Sequence, residues 1–325
     1  MNYVMPQLAY NLSDNIKRCL GEIDTLRKSI VLTSINPKIS LRLRWNSEIE
    51  RIYWAFSLTD FQYSKQQITD ILIKRSEGNK KMPKEKRLIL DYKKALDYIR
   101  SDWLAANKEI DANTVRDLFD IAIKPTAGNP SVTKFNSRKN LIDHLMEYLR
   151  AGKEHPVIQA GIAHIQILGL SPFNEGNGRI SRLLTYLVLY KEGYDFNDLF
   201  YLEEYFRKDI VSLREAVKSV DLTQNMTLWL EYFTKGVVIQ LEKTYENIKT
   251  EKFGSSTPYT FWRLNDRQEE ILVILQNPNE KVNNSRVQKL FKTTQITASR
   301  DLAKLTSLGL LFPHGKGRST YYTKV

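Results

Sequence analysis

The sequence predicts a mainly α-helical protein that ends in a small domain with two strands. Apolar residues recur at three- and four-residue steps through most of the chain, which is typical of amphipathic helices. Strand signals are sparse before the last 20 residues, where residues 310–312 and 320–323 flank a glycine-containing turn. These two observations favour a helical core followed by a domain of different construction.

The composition is that of a globular protein with a basic surface. The 325 residues are 42% hydrophobic and 26% charged, and this length indicates two or three domains. Lysine and arginine outnumber aspartate and glutamate by 49 to 37, so the formal net charge is +12. This excess favours a polyanionic partner such as nucleic acid or a nucleotide, although a solvated lysine-rich surface explains it equally well.

Several classes of protein are excluded by what the sequence lacks. The single cysteine, Cys19, excludes an intramolecular disulfide and a thiolate metal cluster, and the four histidines have no metal-ligand spacing. The first residues lack the basic and apolar regions of a signal peptide, and no stretch approaches the ~18 apolar residues of a membrane span. We therefore expect a cytoplasmic protein without membrane contact.

Changes in the hydrophobic pattern divide the chain into four parts. These are a helical N-terminal region (1–84), a dense helical core (85–250), a linker (251–262) and a C-terminal domain (263–325). The clearest individual helices are predicted at about residues 12–32, 47–60, 67–74, 140–151, 156–170, 179–191, 202–217 and 226–247. Residues 124–135 contain two prolines, a glycine and alternating Val132 and Lys134, which indicates a loop or a short β-hairpin inside the core.

One loop between two predicted core helices carries groups suited to phosphate. It consists of Ser171, Pro172, Phe173, Asn174, Glu175, Gly176, Asn177, Gly178 and Arg179. Gly176 and Gly178 permit backbone conformations in which successive N–H groups converge on one anion, at the positive N-terminus of the next helix. Arg179 and Arg182, three residues apart, can bind phosphate oxygens bidentately, and Glu175 beside phosphates implies Mg²⁺ between them. A polar turn before a capped helix is the alternative interpretation.

This stretch resembles the motif of the Fic family, His-Pro-Phe-x-(Asp/Glu)-Gly-Asn-Gly-Arg-x-x-Arg, at every position except the first. The likeness extends from about residue 89 to residue 236, and Fic proteins transfer AMP from ATP to a hydroxyl group of a target protein. The resemblance therefore implies a Fic-type helical core in which Glu175 holds Mg²⁺ on ATP or another nucleotide. It assigns the phosphate contacts to Gly176, Asn177, Gly178, Arg179 and Arg182. It also implies that residues 124–135 are a β-hairpin flap that positions the target protein.

Three departures from the family pattern bear on activity. The motif histidine is the general base that takes the proton of the target hydroxyl, and here Ser171 occupies its position. Loss of a general base lowers a rate by roughly 10²–10⁴-fold. Asp60 occupies the position of an inhibitory glutamate that pairs with the second motif arginine, Arg182, and Ile210 and Val211 replace tyrosines near the adenine. We therefore expect a Mg²⁺-nucleotide-binding relative of protein adenylyltransferases whose activity is weakened or altered.

The C-terminal domain has the predicted order of three helices, a strand, a basic turn at residues 315–318 and a second strand. With residues 297–302 and 317–322, it resembles the winged helix-turn-helix domains appended to many Fic proteins. Its third helix opens at Thr294 or Gln295, and apolar residues from Ile296 to Leu308 are expected to pack inward. The candidate DNA contacts are Thr297, Ser299, Arg300, Lys304, Lys316 and Arg318. An alternative function is thus a non-catalytic, DNA-binding regulatory protein whose Fic core senses a nucleotide. The sequence leaves open whether the chain forms a homodimer, and whether this domain binds protein instead of DNA.

Overall fold

The computed structural model falls into two compact units. It describes residues 9–33, 35, 37–59, 61, 63–73, 82–104, 108–123, 132–250, 264–275, 280–308, 310–315 and 319–324. The larger unit draws its residues from 1–35 and 46–253, and the smaller unit draws its residues from 36–45 and 254–325. No helix of the described part is both long enough and apolar enough to cross a membrane.

Every regular element described in the larger unit is a helix. These are α1 (Asp14–Leu32), α2 (Pro37–Ser57, from residue 46 onward), α3 (Lys65–Ile73), α4 (Lys84–Asp97), a π-helical turn (Tyr98–Trp103), α5 (Ala112–Ala122), α6 (Val132–Ser137), α7 (Lys139–Ala151), α8 (Pro156–Leu170), α9 (Asn177–Lys191), a 3₁₀ turn (Phe196–Asp198), α10 (Glu203–Lys208), α11 (Ile210–Thr223) and α12 (Thr227–Thr250). The predominantly helical fold predicted from the sequence is therefore confirmed.

Helix α1 is held on helix α12 by an apolar stripe and by its cap. Ile16, Ile23 and Ile30 recur at seven-residue steps and are fully buried, because such residues fall on one face of a helix. The Ser13 side chain accepts a hydrogen bond from the N–H of Ile16 and donates one to Glu231 on α12 at 2.6 Å. The same hydroxyl thus starts the helix and fixes it to its neighbour.

Helix α8 lies at the centre of the larger unit, between α9 and α12. Gly161 permits the close approach of α12, since a Cβ at this position would lie 2.9 Å from a methyl carbon of Leu230. The indole N–H of Trp229 on α12 donates to the Gly161 carbonyl at 2.8 Å. This packing fixes the end of α8, from which the motif loop departs.

A buried ionic cluster connects segments that are far apart in the chain. The Asp198 carboxylate accepts hydrogen bonds from Arg51 on α2, Arg100 on the π-helical turn and Tyr190 on α9. Residues 196–198 all have positive φ, between 49° and 61°, a conformation that costs a non-glycine residue roughly 1–2 kcal/mol. The contacts of Asp198 offset this strain and hold the 3₁₀ turn against the three helices.

Three predicted boundaries differ from the structure. Helix α2 begins at Pro37, well before the start predicted near Ser47. The helix predicted over 202–217 is interrupted at Asp209, because the Asp209 side chain accepts from the N–H of Ser212 and starts α11. The last part of the predicted β-hairpin flap is helical from Val132 onward, and the rest of that flap, residues 124–131, lies outside the described residues.

The smaller unit has three helices followed by two strands. They are α13 (Asp266–Ile274), α14 (Asn284–Phe291), α15 (Gln295–Ser307), β1 (Leu311–His314) and β2 (Tyr321–Lys324). The strands are antiparallel with Phe312 opposite Thr323, and Val282 forms a bridge to Tyr322. Ala298, Leu302 and Leu305 of α15 are buried in the core of this unit. Ile296 was expected to pack inward but is 65% exposed, because it lies on the opposite face of α15.

His164 is a buried member of the α8–α9 contact. Its two ring nitrogens lie 3.0 Å from the hydroxyl of Thr185 and 3.3 Å from that of Ser181, and its ring packs on Trp229. Burial, and secondarily the positive charge of Arg182, lower the pKa of His164 to about 3. The ring is therefore neutral in the folded protein at pH values where an exposed histidine is protonated.

This shift predicts a specific pH dependence of stability. Below pH ~6.5 the unfolded chain binds a proton at His164 that the folded chain does not bind until about pH 3, so stability falls as the pH falls through this window. We expect His164→Gln to remove up to about 1.4 kcal/mol per pH unit from the slope of unfolding free energy between pH 6 and pH 4. Denaturant titrations at several pH values measure this slope, with the exposed His144→Gln as the control variant. Equal slopes in His164→Gln and the unmodified protein would contradict the prediction.

Candidate functional site

The motif loop begins where helix α8 ends, at Ser171. The Ser171 backbone is left-handed, with φ 45° and ψ 56°, and its N–H donates to the carbonyl of Ile167 at 3.0 Å. The Ser171 carbonyl accepts a hydrogen bond from the guanidinium of Arg138 at 3.0 Å. The residue at the motif histidine position therefore closes the helix and is fixed by a cation from the start of α7.

Phe173 anchors the first half of the loop in an aromatic stack. Its ring lies parallel to Phe119 at a centroid distance of 3.9 Å and close to parallel to Phe135 at 5.5 Å. The Phe173 carbonyl accepts from the Lys134 ammonium at 3.3 Å. Phe135 and Lys134 both belong to α6, so this short helix supports the loop through a ring and a cation. The sequence pattern did not indicate this role.

The Asn177 side chain closes the loop on itself. Its amide nitrogen donates to the Phe173 carbonyl at 2.8 Å, and its amide oxygen accepts from the Phe173 N–H at 2.9 Å. Both polar groups of the side chain are thus engaged within the loop. An anion contact from Asn177 would consequently come from its backbone N–H group.

Gly176 is the glycine of the loop that the geometry requires. Gly176 has φ 80°, a left-handed conformation, and a Cβ there would lie 2.7 Å from the Cδ1 of Ile123. Gly176 precedes α9, and its carbonyl accepts from the N–H groups of Arg179 and Ile180. The backbone N–H groups of the two residues before Arg179 have no partner within the helix, so they can donate to a ligand.

Arg182 is a buried cation directed at this loop. It is 7% exposed, and a Cβ on Gly178 would lie 3.5 Å from its Nη1 atom. Its Nη2 donates to the Ala55 carbonyl near the end of α2 at 3.3 Å, whereas its buried Nε has no hydrogen-bond partner. No carboxylate of the described residues forms an ion pair with Arg182. Such a buried, uncompensated charge is unfavourable by itself, and an anionic ligand would relieve it.

Arg179 presents a second guanidinium to the same region. The group lies over the Phe56 ring at 5.8 Å, and its buried Nη1 has no hydrogen-bond partner. Burial, with the adjacent charge of Arg182, lowers the pKa of Arg179. Two neighbouring guanidiniums with unused donors form a pair suited to a polyphosphate.

Glu175 is the acidic group of the loop, and its side chain is exposed. The described residues contain no group of three or more histidine, cysteine, aspartate or glutamate side chains that could hold a metal by itself. Mg²⁺ usually keeps several waters and binds through one or two carboxylates together with substrate phosphates. The donor set around Glu175 therefore fits Mg²⁺ that phosphates hold in part.

His164 is not placed to act as a general base at the loop. The side chain is 4% exposed, is surrounded by Thr185, Ser181 and the Trp229 ring, and remains two turns from the loop. A general base has to reach the reacting proton at about 2.6–3.2 Å or through one water. The position of His164 instead supports a structural role in the packing of α8 on α9.

Several predicted site residues lie elsewhere or beyond the described residues. Asp60, Lys316 and Arg318 fall outside the described residues, as does the flap segment 124–131. On α15, Ser299 and Arg300 are exposed, whereas Thr297 and Lys304 are half-buried. These α15 residues belong to the smaller unit, whereas the motif loop belongs to the larger one.

The structure also brings to the loop groups that no sequence pattern indicated. Arg138 and Lys134 donate to loop carbonyls, and Ala55 supplies a carbonyl to Arg182. None of them belongs to the motif, and they reach the site from two parts of the chain, the end of α2 and the segment from α6 to α7. A single sequence contains no local signal for such long-range contacts.

Comparison with known proteins finds a family match within the larger unit. Residues 108–189 match the family model described as the Fic/DOC family. The protein adenylyltransferase Fic of Aedes aegypti is 24% identical over 192 residues, which cover 53% of this chain and 38% of that protein. That of Drosophila grimshawi is 38% identical over 52 residues, which cover 16% of this chain and 11% of that protein. The matched region thus spans well under half the length of these curated relatives.

Solved structures share the fold at low sequence identity. A Fic family protein from Desulfovibrio desulfuricans G20 has a TM-score of 0.62 at 13% identity, with 98% of both chains covered. Fic-1 (residues 134–508) from C. elegans has a TM-score of 0.58 at 18% identity, covering 73% of this chain and 74% of that chain. The family match over residues 108–189, the similarity to the curated relatives and this shared fold together support a Fic-type domain within the larger unit.

Proposed function

We propose that the loop from Ser171 to Arg182 binds a nucleoside triphosphate with Mg²⁺, and that the chain derives from enzymes that transfer AMP to protein hydroxyl groups. The observation that carries this proposal is the buried guanidinium of Arg182, which has a partnerless Nε and no ion pair among the described residues. The names of the curated relatives, protein adenylyltransferase Fic, support the reaction class.

Each group of the loop has a role in this proposal. The first N–H groups of α9 and the guanidiniums of Arg179 and Arg182 bind phosphate oxygens, while Glu175 and the phosphates share Mg²⁺. Bound Mg²⁺ would neutralise phosphate charge and make the α-phosphorus more electrophilic. Phe173 and Asn177 keep the loop in shape through the stack and the side-chain clamp. The target protein would approach along residues 124–135.

The proposed activity is weakened because the loop lacks a base. The Ser171 hydroxyl has no useful affinity for a proton near neutrality, and His164 is buried away from the loop. Nucleotide binding does not require this base, whereas transfer does. We therefore propose binding close to that of an intact site together with transfer that is slower by roughly 10²–10⁴-fold.

Nucleotide binding is tested by thermal unfolding with and without Mg²⁺-ATP. At 100 times the dissociation constant, a ligand that binds only the folded protein adds about 2.7 kcal/mol, which raises the midpoint by roughly 5–10 °C. We expect Arg182→Gln to lose most of this increase, since the buried guanidinium would no longer meet phosphate. The exposed Arg214→Gln on α11 is the matched control and should keep it. No increase with any nucleotide, or an equal one in Arg182→Gln, would refute the proposed site.

The missing base is tested by Ser171→His. Transfer of labelled AMP from ATP to protein is expected to rise by roughly 10²–10⁴-fold, because an imidazole can accept the hydroxyl proton at neutral pH. Ser171→Ala should stay at the level of the unmodified chain, since neither serine nor alanine can act as a base. If the histidine variant binds ATP but transfers no more AMP than the alanine variant, the adenylyltransferase hypothesis is refuted.

A second candidate function, DNA binding by a winged-helix domain, is favoured by the exposed start of α15. Thr294 caps this helix through the N–H of Thr297, and Ser299 and Arg300 lie exposed within its first two turns. Asn284 of α14 donates to the Ser299 hydroxyl at 2.7 Å, which fixes that group. Short polar side chains and an arginine at a helix start suit contacts in a major groove.

Salt dependence distinguishes DNA contact from a merely basic surface. We expect duplex DNA to bind more weakly as salt rises, and Arg300→Ala to reduce the logarithmic salt slope by about one if Arg300 contacts a phosphate. Arg214→Ala in the larger unit is the charge-matched control. Absence of binding at low salt, or identical slopes for the two variants, would argue that the smaller unit has another role.

A further inference from the structure

Ser171 adopts a backbone conformation that the next residue disfavours. Its φ of 45° and ψ of 56° are left-handed, which is uncommon for a residue other than glycine, and the ring of Pro172 favours an extended backbone at the residue before it. A strained conformation of this kind persists only where its surroundings hold it. The Ser171 N–H is held by the Ile167 carbonyl at the end of α8, at 3.0 Å. The carbonyl of Ser171 needs a separate support.

Arg138 provides this support. Its Nη1 donates to the Ser171 carbonyl at 3.0 Å, and no other hydrogen-bond donor of the described residues contacts that oxygen. The Phe173 carbonyl, by contrast, accepts from two groups, the Asn177 amide and the Lys134 ammonium. The orientation of the carbonyl at position 171 therefore depends on a single guanidinium, whereas that of the Phe173 carbonyl does not depend on one cation.

The backbone of Arg138 is fixed at the junction of α6 and α7. Its N–H donates to the Phe135 carbonyl at 3.1 Å, where α6 ends. Its carbonyl accepts from the N–H groups of Leu141 and Ile142, where α7 begins. The Phe135 ring packs on Phe173 of the loop at 5.5 Å. A ring contact and a charged hydrogen bond therefore connect this junction to the first half of the loop.

The groups proposed to bind phosphate do not share this support. The turn at Gly176 and the start of α9, with its two arginines, form the second half of the loop. Asn177 ties this half to Phe173 through both polar groups of its side chain, without a hydrogen bond to Arg138. Loss of the Arg138 contact should consequently disturb position 171 more than the phosphate-binding half.

We propose that Arg138 is a positioning residue for group transfer, which fixes the direction of the side chain at position 171 by holding the carbonyl of that residue. In the transfer step the target hydroxyl oxygen bonds to the α-phosphorus, the bond from that phosphorus to the β-phosphate oxygen breaks, and pyrophosphate leaves. The hydroxyl proton goes to the imidazole in the Ser171→His variant and to water in the unmodified chain. The Arg138 contact involves the main chain, so it persists when the side chain at position 171 changes. This inference rests on the proposed function and adds to it a residue that acts on transfer and not on nucleotide binding.

The test measures transfer and binding separately in the full chain that carries Ser171→His. Transfer of labelled AMP from saturating ATP to the proteins of a cell lysate gives the rate, and calorimetric titration with Mg²⁺-ATP gives the affinity. Misplacement of a catalytic group by about 1 Å can lower a rate roughly 10²-fold, so we expect added Arg138→Gln to lower transfer roughly 10–100-fold. The affinity for Mg²⁺-ATP should stay that of the Ser171→His parent. Arg138→Lys keeps a cationic donor and should lose less transfer than Arg138→Gln.

Arg150→Gln in the same parent is the matched control. Arg150 lies at the other end of α7 and donates to the Ile110 carbonyl at 3.1 Å. This variant therefore also removes one hydrogen bond between a guanidinium of α7 and a backbone carbonyl, but away from the loop. Its transfer rate should equal that of the Ser171→His parent.

The outcomes separate this inference from the proposed function. Equal transfer with and without Arg138→Gln overturns the positioning role. An equal loss in Arg138→Gln and Arg150→Gln, or a loss of ATP affinity as large as the loss of transfer, also overturns it, because a general disturbance of the fold or the loop would then explain the effect. A Ser171→His parent that transfers no AMP overturns the proposed function, and the inference with it. If Arg138→Gln does not fold, Arg138→Met keeps the aliphatic stem without the donors and should show the same selective loss of transfer.

Discussion

The buried charge of Arg182 is the main constraint on the site, because neighbouring groups of the larger unit have to compensate it. A guanidinium removed from water is unfavourable unless its donors are used, and the adjacent N-terminus of α9 adds further positive potential. Among the described residues, the protein offers this group the Ala55 carbonyl from α2. Donors nevertheless remain without a partner on Arg179 and Arg182, which leaves the loop suited to a multiply charged anion.

The contacts around this charge require that segments distant in the chain keep their relative positions. Asp198 holds these segments together, because its carboxylate accepts hydrogen bonds from side chains of α2, α9 and the π-helical turn. The left-handed turn that presents Asp198 is unfavourable on its own and persists through these contacts. The end of α2, which supplies Ala55 and Phe56 to the site, is thus connected to the core by this ionic cluster.

The sequence was informative where chemistry is local. Glycines at 176 and 178 and arginines at 179 and 182 are neighbours in the chain, so their convergence follows from one loop and one helix start. The helices α8, α9 and α12 were also predictable, since each carries a long apolar pattern. The start of a helix at Val132 could not be predicted. The β-branched residues there favour a strand, whereas the packing of Phe135 on Phe173 favours the helix. Lys134 and Arg138 could not be selected as parts of the site, since only the tertiary fold brings them to the loop.

The left-handed backbone at Ser171 has a consequence for how this site can change over evolutionary time. Few side chains accept that conformation: asparagine, aspartate and histidine are found there more often than most, whereas β-branched residues are strongly disfavoured. The left-handed backbone at Ser171 thus limits which side chains are tolerated there, whatever their chemical role. Exchange among the tolerated residues would leave the helix end and its hydrogen bonds in place. A lineage with this fold can therefore lose or regain a proton acceptor at position 171 by single substitutions, each of which leaves a protein that still folds.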